Sequence, residues 1–576
     1  MAKEKTEKLT PFKQLLNVLH AYRDEVNSIF IYAFFSGLIS LSVPLGIQAI
    51  VNLIQGAQIS TSWIVLVILV TVGIIATGVL MIMQHVVSEN IQQKIFVKSA
   101  FDFAYRVPKF NAEAVDKEFV PELVNRFFDT IVVQKGISKI LLEYSIAAIQ
   151  IILGLILLMF YHPFFISFGV SLILIIYFII KYTFPIGLSA SIKESKYKYK
   201  LVHWLEDIGR SMKTFKLAGS SSFPLEKTDK LTTEWIKYRK AHFKILIIQY
   251  ICMVGFKAFI AGGLLIIGGL LVINQQMNIG QFVAAEIIIL TILVSVEKMI
   301  SGSETFFDVL TSLGKLGEIK DIPLENEGEI VLDENNDGLS VQINNMSFRF
   351  PEEKKDMLHN INFSALSGEK IGISGYQGSG KSLLLDIIAG LYPKTTDAVT
   401  YNGFPLSNIN IGALRGMIGD NLRENIIFEG TIYENISMGK KEIPLEEVLK
   451  ACEPIDFLEY IQSLPNGFDT MVLSEGRTLP QSIRLKIILA RCIAEKPKLI
   501  LLEDNLGHLK SATRKKFIEY LFDENTGWTV ITASNNPEVL TMLDRVIVID
   551  KGEIVDEDSY DELSKKEWMK NLFNIK

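Results

Sequence analysis

From Ser28 to Val87 the chain carries no Asp, Glu, Lys or Arg. Helices of a soluble domain keep one solvated, charged face, so a stretch this long without charge restricts the fold to segments that sit in hydrocarbon. Crossing ~30 Å of bilayer core takes about 20 apolar helical residues. The stretch divides at GAQISTS (residues 56–62) into two spans, residues 29–54 and 63–83. The pattern recurs at 140–160 and 164–182 around the YHP turn, and at 247–273 and 280–296 around NQQMN, which predicts six spans in three pairs.

The basic residues orient these spans. The short turns within the pairs carry no Lys or Arg, whereas the segments between pairs, 84–139 and 183–246, carry many. The positive-inside rule then puts those segments and both termini in the cytoplasm. Helices continuing through them at ~1.5 Å per residue would carry their tips about 25 Å or more below the bilayer, where they can dock on a soluble domain. PFKQLLNVLHAYR (residues 11–23) reads as an amphipathic helix, lying on the cytoplasmic membrane face or capping the soluble domain. Lys257 and Glu286 are ionisable groups within predicted spans, where such groups face a cavity or a partner. Counted from their shared outer turn they lie about 25 Å and about 12 Å deep, too far apart to pair within one subunit. Pro44 reads as a packing kink.

A formal charge of -6 gives no reason to expect nucleic acid, and three dispersed cysteines give neither a metal site nor a disulfide framework. After residue 338 short strands alternate with helices, as in an α/β domain. The apolar IGIS runs into GYQGSGKS (residues 375–382) and then LLLDIIAG, a strand, glycine turn and helix. That order fits a phosphate-binding loop: Gly375, Gly378, Ser379 and Gly380 turn backbone N–H groups toward an anion, Lys381 reaches the terminal phosphates, and Ser382 can ligate Mg2+. The expected domains are a cytoplasmic amphipathic segment (1–27), a six-helix transmembrane domain (28–301), a connector (302–338) and a nucleotide-binding domain (339–576).

Six spans followed by a phosphate-loop domain resemble a half-size ABC exporter of the type IV architecture. FEGTIYENI (428–436), FLEYIQSLPNGFDT (457–470), IRLKIILARCIAEKPKLILLED (483–504) and RVIVIDKGEIVDED (545–558) support the resemblance. SVPLGIQAIVNLI (42–54) resembles, more weakly, type I secretion, peptide and bacteriocin exporters. The resemblance implies that Phe350 stacks on adenine, with an apolar core position as the alternative. It also implies that Glu503 and Asp504 stand where the family has an Asp holding Mg2+ and a Glu polarising water, in reversed order. Arg423 stands in place of a glutamine and Asn535 in place of a histidine that senses phosphate. Pro480, Gln481, Ser482 and Ile483 replace a signature of one serine and two glycines, and Lys510 replaces an Asp. Arg423 has only donors and cannot coordinate a cation; it either neutralises phosphate charge or pairs with Glu424 or Glu429. These departures imply a degenerate nucleotide-binding domain with Asp504 a weakened base and Asn535 impaired.

The family pairs two such halves, each site joining one subunit's phosphate loop to the other's signature. In a homodimer both sites carry every departure, and in a heterodimer each carries some. The expectation is a subunit of a homodimer or heterodimer in a bacterial inner membrane that binds ATP, hydrolyses it weakly or not at all, and translocates a peptide, protein or hydrophobic substrate. A periplasmic adaptor is a further expected partner. The alternatives are an ATP-binding scaffold or regulatory subunit of an envelope complex, and a lipid flippase.

Overall fold

The computed structural model describes residues 10–56, 61–325, 327–333, 338–350, 353–392, 397–422, 426–570 and 572. They form two compact units, one of residues up to Pro108 together with Glu118–Ile322, the other of Lys109–Lys117 together with Pro323 onward.

Among the described residues, six helical segments are long and apolar enough to cross a membrane: Arg23–Gln55, Thr61–Lys109, Val120–Tyr161, Phe164–Arg210, Phe223–Ile273 and Ile279–Lys320. Each contains one expected span and runs past it. The helices Phe164–Arg210 and Phe223–Ile273 have 47 and 51 residues, so each extends about 70 Å or more at ~1.5 Å per residue. The apolar stretches differ in burial. None of the most apolar window in Thr61–Lys109 is buried, whereas half of that in Ile279–Lys320 is; the first has the surface of a lipid-facing helix and the second that of a bundle core.

Packing in that core is close. Leu158, Phe165 and Leu172 are sealed against Phe256, Ile288 and Ile292, and a Cβ at Gly154 would lie 3.0 Å from the Ile292 side chain. A small residue there brings two backbones together, the contact that stabilises helices in lipid. The first segment breaks at Leu41, between helices Arg23–Ser40 and Ser42–Gln55. Pro44 accounts for the break, because it has no N–H to give the carbonyl one turn before it. Lys257 and Glu286 stay apart, Lys257 pairing with Glu297 and Glu286 being half-buried. The N-terminal helix Pro11–Ala21 is capped by Thr10 and buries Leu15. It packs on Ser303–Lys320 and leaves Phe12 and Leu16 exposed.

The second unit is built on a six-stranded sheet in the order 553–558, 545–550, 370–375, 529–533, 499–503, 418–420. All pairings are parallel except the first, which is antiparallel. Strand Lys370–Gly375 is buried throughout, as expected for a central parallel strand, and apart from Lys370 and Ser374 it holds only isoleucine and glycine. A four-stranded antiparallel sheet holds Val341–Phe348 and Leu358–Ala365. The tip segment also belongs to this unit: Phe110 bridges Leu324, the Asn111 N–H donates to the Pro323 carbonyl at 3.0 Å, and Glu325 donates to Lys109 at 2.9 Å.

Candidate nucleotide-binding site

The parallel strands end on one edge of the sheet, and the helix Lys381–Ile388 starts there. Between strand and helix the chain uses conformations that side chains disfavour. Gly378 and Gly380 have φ of 81° and 104°, and a Cβ at Gly375 would fall 2.2 Å from the Ile549 carbonyl oxygen. Three glycines are therefore required by geometry. The first amides of the helix have no carbonyl one turn earlier to bind, so they remain as donors. Ser379 Oγ is buried and has no hydrogen-bond partner among the described residues. Lys381 folds back, donating to the carbonyls of Gly375 at 2.7 Å and Tyr376 at 2.9 Å. Burial pushes its ammonium below the usual lysine range, opposed by the Glu503 carboxylate. Free helix amides, an orphan hydroxyl and a half-buried lysine form a cradle that fits a polyphosphate.

The neighbouring strand ends are stitched by side chains. Asn421, fully buried, accepts from the Glu503 N–H at 2.7 Å and donates to the Glu503 carbonyl at 3.0 Å and to Asn505 at 2.9 Å. Ser534 donates its hydroxyl to Asp504 Oδ2 at 2.6 Å. Asn535 accepts from the Ser374 hydroxyl at 2.7 Å and the Gly375 N–H at 3.1 Å, and donates to the Gly375 carbonyl at 3.0 Å. The structure thus brings Lys381, Glu503, Asp504 and Asn535 to one edge. It points Asn535 at the loop backbone, and Asp504 already holds a hydroxyl.

The signature-like residues start a second helix, Gln481–Ala494. Pro480 precedes it as the N-cap, with no side-chain hydrogen bond, and its carbonyl takes the N–H groups of Ile483 at 3.0 Å and Arg484 at 3.1 Å. A proline offers no acceptor to the first-turn amides, the task serine performs at this position. The Gln481 amide meets His508 Nε2 at 2.7 Å, donating to it when the ring proton sits on Nδ1. Ser482 is half-buried, and Ile483 is buried in the helical subdomain core. Lys510 is exposed and leads the helix Ser511–Leu521.

Phe350 packs edge-on to Phe348, with ring centroids 5.0 Å apart, and to Tyr392 at 5.8 Å, and stays half-buried. Ser382 begins the loop helix beside Lys381. Arg423 lies outside the described residues. Sequence reasoning missed Asn421, Ser534 and His508. Their signals were present, GDN before the glutamine position, AS before Asn535, and a histidine after Asp504, but each gains its partner only through strand pairing or helix contact.

Residues 26–296 match the family model for the ABC transporter transmembrane region and residues 358–506 match that of the ABC transporter. The chain is 31% identical over 267 residues to the uncharacterized ABC transporter ATP-binding protein YfiB of Bacillus subtilis, covering 45% of each. It is 27% identical over 341 residues to the alpha-hemolysin translocation ATP-binding protein HlyB of Proteus vulgaris, covering 58% of this chain and 48% of the relative. The exotoxin translocation ATP-binding protein PaxB of Pasteurella aerogenes matches at 27% over 347 residues, 59% of this chain and 48% of the relative. The chain thus spans about half the length of the curated relatives it matches. A bacterial Atm1-family ABC exporter solved with ATP bound superposes with a TM-score of 0.79 at 17% identity, over 94% of this chain and 96% of that one. This last likeness establishes the fold.

Proposed function

We propose that this chain, an ABC transporter transmembrane region joined to an ABC transporter nucleotide-binding domain, is a half-size exporter subunit with a degenerate catalytic side. It binds ATP through Gly375, Gly378, Ser379, Gly380, Lys381 and Ser382, works as a homodimer or heterodimer, and moves a peptide, protein or hydrophobic substrate out of a bacterial cell. Its place is the inner membrane, with both termini cytoplasmic, and a periplasmic adaptor would complete a route across a further envelope layer. The likeness to toxin translocation proteins favours a polypeptide substrate.

The observation that carries this reading is the contrast along the sheet edge. The loop keeps its three glycines and its lysine, while Asp504 is held by Ser534 and Asn535 by Gly375. Ser382 and Glu503 would hold Mg2+, which would draw off charge developing on the phosphates. Water positioning tolerates little displacement, and removing one well-aimed polar group typically costs about 100-fold in rate. Hydrolysis by this chain alone is accordingly slow.

The test is Mg2+-dependent ATP turnover and ATP binding by the purified chain in lipid bilayers, with Lys381→Ala as control. Tight binding that Lys381→Ala removes, with turnover near the control, is the expected result. Fast turnover sensitive to that substitution would sink the degenerate-site reading. Absence of binding would sink the nucleotide reading itself. A regulatory ATP-binding scaffold is the second reading, favoured by the same two occupied side chains; it gains if no partner half restores turnover.

A further inference from the structure

We propose that Asn535 is a positioning residue for ATP affinity: it holds the phosphate loop in its binding shape and frees Lys381 to leave that loop for phosphate. The proposal rests on the reading of Gly375–Ser382 as an ATP site and adds how that site is kept ready.

The argument starts from register. Strands Thr529–Ala533 and Lys370–Gly375 run parallel with Ala533 level with Ile373, and the last backbone bond between them is Ser534 N–H to the Ile373 carbonyl at 3.1 Å. Two residues on, Asn535 stands level with Gly375, where the backbones separate. Its carboxamide continues the ladder. Oδ1 takes the Gly375 N–H at 3.1 Å and Nδ2 reaches the Gly375 carbonyl at 3.0 Å. The pairing also fixes which way the amide points, because the reverse orientation would set donor against donor and acceptor against acceptor. Ser374 adds its hydroxyl to Oδ1 at 2.7 Å.

The Gly375 carbonyl therefore has two donors, Asn535 Nδ2 and Lys381 Nζ at 2.7 Å. When Lys381 turns to a phosphate, Asn535 keeps that half-buried carbonyl satisfied. Without Asn535 the lysine would be its remaining side-chain donor, and moving it would leave a buried acceptor unpaired, a costly state. Imidazole cannot make this double contact, since its single N–H and its acceptor nitrogen lie on opposite edges of the ring. Asparagine here thus exchanges a group suited to orienting water for one suited to holding the loop.

The experiment uses the full chain in lipid nanodiscs, with MgATP and a non-hydrolysable analogue as probes and wild type, Asn535→Ala, Asn535→Asp and Asn535→His compared. Asn535→Ala is expected to weaken ATP binding about tenfold, the size of one or two lost hydrogen bonds. Asn535→Asp retains the acceptor but sets an oxygen against the Gly375 carbonyl, so it should bind as poorly. Asn535→His should also lose affinity and gain no turnover. Hydrogen exchange in the nucleotide-free protein reads the clamp separately: the Gly375 amide should exchange faster in Asn535→Ala, while strand 529–533 keeps its protection.

Unchanged affinity in Asn535→Ala, or a rise in turnover with affinity intact in Asn535→His, would overturn the proposal, as would an unchanged exchange rate at Gly375. If wild type binds no ATP, the reading of the site fails and the affinity role falls with it; the exchange result then still decides whether the clamp exists.

Discussion

Two turns in the second unit do the same job in form, each feeding a chain into a helix N-terminus, and they differ in what they leave open. Before Lys381 the turn is made of glycines in left-handed conformation, so backbone amides stand clear. Before Gln481 the turn ends in a proline cap without side-chain acceptor, and the side-chain amide of Gln481, the first helical residue, meets His508. A helix N-terminus carries partial positive charge in either case. What separates a phosphate site from a helix start is access, which glycine leaves and a bound glutamine side chain obstructs.

The comparison can be broken from the side expected to matter most. Lys381→Ala should weaken ATP binding by about 100-fold, the loss of charge-assisted bonds to phosphate; equilibrium binding checks it, and a change below threefold would mean the loop is not the site. Exchanging the two carboxylates, Glu503→Asp with Asp504→Glu, should raise single-turnover hydrolysis about tenfold or more with affinity nearly constant. No gain would locate the defect elsewhere. Pro480→Ser with Gln481→Gly restores a cap worth about 1 kcal/mol and opens the helix start. It should strengthen nucleotide-dependent association of two chains about fivefold, measured by light scattering or crosslinking with a non-hydrolysable analogue.

The smallest effect concerns the far end of the loop helix. Arg415 forms a two-pronged ion pair with Glu325, at 2.7 and 2.8 Å, and also donates to the Gly390 carbonyl at 3.0 Å. Arg415→Lys removes the fork and should lower stability of that unit by about 1 kcal/mol, read as a shift in denaturant midpoint with ATP affinity little changed.

Spans and loop were legible because both are local patterns. An absence of charge over two helical lengths admits few folds, and a glycine turn between an apolar strand and a helix has few uses. What stayed hidden depends on neighbours distant in sequence. Asn421 acquires its role because Ile418–Asp420 lies beside Leu499–Glu503, and Asn535 because Ala533 is level with Ile373. Lys257 and Glu286 are the two charged residues inside the third pair of predicted spans. Counting eleven residues further at ~1.5 Å each puts Glu297 about 28 Å from the outer turn, level with Lys257, but that residue fell just past the expected end of the span. The structure pairs them.

The tip segment Lys109–Lys117 has a consequence for how the protein is made and handled. It completes the second unit by pairing with Pro323–Glu325, and Lys109 bonds Glu327, 218 positions later. At ~5–20 residues per second of synthesis, that tip waits about ten to forty seconds for its partner while four further spans are laid down. A fragment cut at Pro323 would never receive it. Such a fragment would expose the Pro323 carbonyl and the Glu325 amide as a raw edge, ready to pair with another copy, so aggregation of an isolated nucleotide-binding fragment would reflect where the chain was divided, with no fault in the fold itself.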